Sequence, residues 1–238
     1  MEASMTQNKT LFCNGSDAGG CGKTICMVLI ADWLKAIGIP RGYIDADPGN
    51  SGTARAFSHY LKGQDVRKLN VQDPEDLDAI FNLASQAGGP VLCDLPANAS
   101  GNMASWWAEI ATPDMFESQN TNLVTIIPVT NAPGSVQNAL DWLETVGNQG
   151  TFIIALNRMN YALAPKPVKV VFSDWFAVAP AEYDIKTIEI GHLDHFAMRV
   201  LVDAQCLPSL VSADVLVEKR IKSWAANVHK QLDAAAIL

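Results

Sequence analysis

What this sequence has little of narrows its reading before any motif is considered. Its five cysteines, Cys13, Cys21, Cys26, Cys93 and Cys206, form no CxxC pair and no repeating framework. A disulfide scaffold is therefore not indicated, and free thiols in a reducing cytoplasm are expected. No uninterrupted apolar run approaches the roughly 20 residues of a membrane helix, and the segment from Met1 to Lys9 is polar rather than signal-like. A cytoplasmic protein without membrane insertion is the expectation. Positive charge is also scarce, with 17 Lys and Arg against 25 Asp and Glu and a formal net charge of −8. That balance argues against a broad nucleic-acid or anionic-membrane footprint and leaves room only for a local basic patch. Repeats and low-complexity tracts are missing too. What remains is 238 residues of which 49% are hydrophobic, enough for a sizeable core. We expect one domain spanning residues 1–238.

The most informative stretch follows the apolar run Leu11-Phe12-Cys13. It reads Gly15-Ser16-Asp17-Ala18-Gly19-Gly20-Cys21-Gly22-Lys23-Thr24 and leads into a helical run from Ile25 to Ile37. A strand, a glycine-rich turn and a helix in this order make a phosphate-binding loop. The glycines let backbone N–H groups approach phosphate oxygens, and the helix start adds the positive end of its dipole. Lys23 is placed to reach the β- and γ-phosphates, and the Thr24 hydroxyl to ligate Mg²⁺. Gly19, Gly20, Cys21 and Gly22 would form the cradle. The standard pattern has glycine at the position of Asp17, whose carboxylate would repel a polyphosphate unless it points away or braces the loop.

Apolar runs alternate with helical patterns along most of the chain, which predicts a three-layer α/β/α sandwich with a mostly parallel central sheet. Strands are expected at Gly42–Asp45, Pro90–Cys93, Leu123–Val129 and Thr151–Leu156, and a further one at Val168–Phe172. Helical stripes run through Leu77, Ile80, Phe81 and Ala84, and through Val136, Ala139, Leu140, Leu143 and Val146. Val217, Ile221, Trp224, Val228 and Leu232 predict a C-terminal helix packed back on the domain. Asn98 to Asn120, with Trp106, Trp107 and Met115, reads as an insertion.

In parallel sheets, ligands sit beyond the carboxyl ends of the strands. Asp45, Asp47 and Asp94 all fall there. Asp94 reads as the acid that holds the Mg²⁺ water shell beside Thr24, since Mg²⁺ takes hard oxygen ligands and keeps several waters. Asp45 and Asp47 are two residues apart, so one is assigned to the metal shell (Asp45) and the other to orienting the attacking water (Asp47). The composition of Asp47-Pro48-Gly49-Asn50 also fits a plain turn. Asn157, at a strand end, offers the donor and acceptor needed to read an adenine edge, and a loop-facing Asn without a ligand fits as well.

These motifs together resemble the deviant-Walker P-loop ATPases of the ParA/MinD type, which partition plasmids and position division or transfer machinery. Gly19 to Thr24 is similar to the family's Gly-Gly-x-Gly-Lys-Thr. Asp45-Ala46-Asp47-Pro48-Gly49-Asn50 resembles its first switch, one residue short, and Leu92-Cys93-Asp94-Leu95-Pro96 resembles its second. Pro128 to Val136 is similar to its next strand and helix start. The resemblance implies ATP or ADP with Mg²⁺ as cofactors, adenine contact at Asn157, a loop around Pro180 flanking the base, and a nucleotide-dependent homodimer. It departs at Ala18, where the family carries a signature lysine that crosses the dimer to the partner's phosphates. Without a cation aimed at developing charge, slow hydrolysis is expected.

The resemblance points to an atypical member acting in plasmid partition, plasmid stability or conjugative transfer through a protein partner linked to plasmid DNA or the transfer machinery. Direct DNA binding is expected to be weak or absent. Lys219, Arg220, Lys222 and Lys230 form the comparable basic group, diluted by Asp214 and Glu218. Two other readings stand beside it. One is a small-molecule ligase or kinase of the dethiobiotin-synthetase kind, with a pocket built from Asn98 to Met115. The other is a nucleotide-binding scaffold without turnover.

Overall fold

The computed structural model describes residues 9–50, 53, 56–109, 114–132, 134–147, 149–158 and 183–238. Its centre is a seven-stranded sheet built from β1 (Lys9–Asn14), β2 (Gly42–Asp45), β3 (Arg67–Lys68), β4 (Val91–Asp94), β5 (Thr121–Val129), β6 (Thr151–Asn157) and β7 (Asp184–Ile190). The strand order is β3-β2-β4-β1-β5-β6-β7, and every pairing between described strands is parallel. Parallel strands need covered crossovers, which is why β1, β4 and β6 are buried along almost their whole length.

Seven α-helices are described: α1 (Lys23–Ala36), α2 (Pro74–Gln86), α3 (Ser100–Glu109), α4 (Asp114–Ser118), α5 (Ser135–Val146), α6 (His195–Ala204) and α7 (Val215–Ala235). The core divides into two layers, one on each face of the sheet. On one face, Phe12, Leu92, Val124 and Ile153 meet α1, α6 and α7. On the other, Leu11, Cys13, Val91 and Leu123 meet α2, α3 and α5. Adjacent residues of β1 thus serve opposite layers, as the twofold alternation of a strand requires. The chain has the three-layer α/β/α architecture, with the glycine loop directly after the first strand.

Polar side chains fasten the outer helices. The Trp33 indole donates to Asp233 at 2.7 Å, tying α1 to α7, and the Trp106 indole donates to Asp78 at 2.7 Å, tying α3 to α2. Gln231 on α7 donates to the Glu189 carbonyl at 2.9 Å and accepts from its N–H at 2.7 Å, so one amide side chain satisfies the backbone of β7 at that residue.

The stretch expected to be an insertion contains α3, whose Trp106 and Trp107 are buried against α2 and the sheet. These tryptophans are core. The strand expected at Val168–Phe172 and the Pro180 loop lie outside the described residues. β3, β7 and α6 had no counterpart in the sequence expectations. Cys13, Cys21, Cys26 and Cys93 are buried free thiols, and burial pushes the Cys26 thiol far up, which leaves it inert. Among the described residues no helix is long and apolar enough to cross a membrane.

Candidate functional site: a phosphate loop backed by two strand-end acids

The carboxyl ends of β1, β2, β4 and β6 bring Asn14, Asp45, Asp94 and Asn157 to the same rim of the sheet. The loop from Gly15 to Gly22 rises from it. Gly15 donates its N–H to the Ile126 carbonyl at 2.7 Å, and a Cβ there would lie 3.0 Å from both Trp142 and Thr125. Glycine at the loop's base lets the chain leave β1 pressed against β5 and α5. At the other end, Gly22 has φ 104°, and a Cβ would stand 2.3 Å from Asn157 Nδ2. Conformation and space both demand glycine at Gly22.

Inside the loop, Ser16 Oγ accepts from the Ala18 N–H at 3.2 Å. Cys21 Sγ lies 3.2 Å from the Ala18 carbonyl. Lys23 Nζ donates to that same carbonyl at 2.7 Å, folding its ammonium over the loop. α1 has Gly22 at its N-cap, with no side-chain cap and no acidic residue in its first turn, whereas α2, α6 and α7 are capped by Asp73, Asp194 and Asp214. The first N–H groups of α1 therefore have no side-chain acceptor and face the loop beside a lysine, which suits an anion.

Asp17 does not face this cradle. Its carboxylate accepts from the N–H of Ser100 at 3.1 Å and from the Ser100 hydroxyl, at the first residue of α3. The residue that breaks the glycine pattern thus points away and braces the loop against the second layer.

Asp94 is buried, at 2% exposure. Its Oδ2 accepts from Thr24 Oγ1 at 2.8 Å, and its Oδ1 accepts from Asn14 Nδ2. Burial raises its pKa to about 7; the Asp45 and Asp47 charges push the same way, against the Thr24 hydroxyl and Lys23. A carboxylate this strained by lack of solvent is suited to a nearby cation. Thr24 and Asp94 supply adjacent hard oxygens, the donor set Mg²⁺ takes when phosphates and waters complete its shell. Among the described residues no group of three His, Cys, Asp or Glu side chains forms an all-protein metal cage.

Asp45 and Asp47 are held by different partners. Asp45 lies within β2, beside Asp94 in the register of β2 with β4. Its carboxylate is held by Lys68 Nζ at 2.5 Å and by the Ser58 N–H at 3.0 Å. Burial raises its pKa, but the Lys68 and Ser58 bonds outweigh that and hold it below the usual carboxylate value. Asp47 lies past the strand, where it accepts from Asn50 Nδ2 at 2.6 Å and from the Asn50 N–H at 3.3 Å, closing the turn. Asn157 is buried and donates to the Cys21 carbonyl at 2.7 Å, pinning the loop to β6. The sequence reading missed Asn14, Lys68, Ser58 and Ser100, four residues that hold the named acids in place.

Several solved structures share this fold over nearly the whole chain. An Asp-to-Ala variant of McdA from Cyanothece, in complex with ATP, superposes with a TM-score of 0.58 at 14% identity, covering 95% of this chain and 97% of that one. A putative plasmid partition protein from Borrelia burgdorferi bound to AMPPNP gives 0.55 at 11% identity, over 94% and 98%. MinD in the MinC:MinD cell division complex of Aquifex aeolicus gives 0.53 at 13%, over 96% and 98%. The fold is that of the ParA/MinD-type P-loop ATPases. No protein-family model and no curated protein sequence matches the chain. At these identities the likeness is one of architecture.

Proposed function

We propose that this chain binds Mg²⁺ and ATP at the Gly15–Thr24 loop and works as a nucleotide-dependent switch in plasmid partition, plasmid stability or conjugative DNA transfer, acting through protein partners. The observation that carries the reading is the Thr24 hydroxyl on the Asp94 carboxylate at 2.8 Å, at the uncapped start of α1 and one residue from Lys23. The ATP and AMPPNP complexes among the similar structures support it. Lys23 exchanges the Ala18 carbonyl for phosphate oxygens, and Thr24 and Asp94 hold the metal and its water shell. Asp45, its carboxylate committed to Lys68, supports that shell from behind. Asp47 orients water once its turn opens from Asn50, and Asn157 faces the base.

Hydrolysis by the isolated chain is slow in this reading. Position 18 offers only a carbonyl to the site, and that carbonyl already engages the loop's one lysine. No observation favours the ligase reading, because Trp106 and Trp107 are packed in the core. Titration calorimetry with Mg·ATP tests the proposal. Lys23→Ala is expected to bind at least about tenfold more weakly, a loss of about 1.4 kcal/mol. Equal affinity for the two proteins removes the phosphate-loop assignment.

A further inference from the structure

Asn14 closes β1 directly after the apolar run Leu11-Phe12-Cys13, and it is 0% exposed. A polar amide at such a position is costly unless its groups are bonded. Both ends of this one are engaged, by two successive residues at the end of β4. Nδ2 donates to Asp94 Oδ1, and Oδ1 accepts from the Leu95 N–H at 2.8 Å. Asn14 therefore grips the carboxylate and the following peptide together, at the point where β4 becomes the turn that leads to α3.

The sheet register explains why the two meet. Phe12 is opposite Leu92 and Cys13 opposite Cys93, so the next rung sets Asn14 beside Asp94. Phe12 and Leu92 belong to the α1 layer, and the twofold alternation returns Asn14 and Asp94 to that side. There Thr24, in the first turn of α1, takes the other carboxylate oxygen. Asp94 is thus bound on one oxygen by the strand before the phosphate loop and on the other by the helix after it.

We propose that Asn14 is a positioning residue for the bound magnesium: it fixes the Asp94 carboxylate so that Oδ2 stays directed at Thr24, and it holds the Leu95 peptide so that the turn after β4 cannot swing away. This rests on the Mg·ATP reading of the site. Partners that orient a metal-supporting carboxylate typically contribute about 10–100-fold to metal affinity. The bonds that shape the phosphate loop, from the Ala18 N–H to Ser16 and from Cys21 and Lys23 to the Ala18 carbonyl, do not involve Asn14, so metal affinity and nucleotide affinity separate.

The test titrates MgCl₂ into the full chain with a fluorescent ATP analogue, alongside binding of the same analogue in EDTA. Asn14→Leu, close in volume, is expected to raise the half-saturating Mg²⁺ concentration at least about tenfold while leaving affinity in EDTA unchanged. Asn14→Ser, too short to span both partners, should show the same split and carries the test if the leucine variant does not fold. Wild-type Mg²⁺ dependence in either folded variant overturns the proposal. Equal weakening with and without Mg²⁺, accompanied by a lower melting temperature of the free protein, also overturns it, since that is what a merely structural amide would give. Failure of the wild type to bind the analogue in either buffer removes the Mg·ATP reading itself, and this proposal with it.

Discussion

At the scale of single residues, the site is built from groups whose charge is controlled by their neighbours. Asp94 shows this best, because its folded pKa of about 7 stands well above the ordinary 3.8. Below the ordinary value both folded and unfolded chains carry the proton, and the stabilising preference for the protonated fold is fully present. Between about pH 4 and pH 7 the folded chain keeps a proton that the unfolded chain has lost, so stability falls as pH rises. Above pH 7 the fold must hold a buried carboxylate, and the contribution is gone. Asp94→Asn is neutral throughout and lacks this slope. In magnesium-free buffer the variant should gain about 2–3 kcal/mol relative to wild type between pH 5 and pH 8. Denaturant unfolding of both proteins at the two pH values measures it, and comparing the two cancels the histidines. The opposing shift of Asp45, held down by Lys68, acts below this window. Parallel slopes for wild type and variant would mean that Asp94 is already ionised at pH 5.

At the scale of elements, the glycine loop is joined to both layers of the fold. Asn157 pins it to β6 and Asp17 pins it to the start of α3. Asp17 acts as a helix cap supplied from a distant part of the chain, and such caps contribute about 1 kcal/mol. Asp17→Gly restores the usual loop glycine and severs that tie. Its expected outcome is faster hydrogen exchange across Ser100–Glu109 with no loss of Mg·ATP affinity, because the carboxylate faces α3 and not the cradle. A tenfold loss of affinity would show instead that loop shape depends on this bond. The legible and illegible parts of the sequence divide along the same line. β1, the glycine loop and α1 were readable because each is local, and so was β4 ending at Asp94. β3 was not, because Arg67 and Lys68 are both exposed and carry no apolar signal. β7 escaped notice because only Ile188 and Ile190 of its seven residues are buried. The partner of Asp17 lies 83 residues away, and Asn14 gains its meaning only from the register of β1 with β4. No spacing within a single segment encodes either contact.

At the scale of the whole molecule, charge sets what contact with DNA the chain could make. Net charge is −8, so long-range attraction to a polyanion is absent and any contact must come from a local patch. The basic group on α7 is the candidate, and the fold largely neutralises it. Lys222 is paired with Glu218 at 2.6 Å, and Arg220 lies 3.5 Å from Asp194 at the start of α6. Lys219 and Lys230 are left, and two phosphate contacts give a shallow salt slope and little affinity. A fluorescence-anisotropy titration with duplex DNA should therefore show weak binding at low salt that fades by about 150 mM. Lys219→Glu combined with Lys230→Glu should abolish what remains. Tight binding at that salt which survives both substitutions would place a DNA surface elsewhere on the chain. It would also remove the reason for assigning the DNA contact to a partner protein.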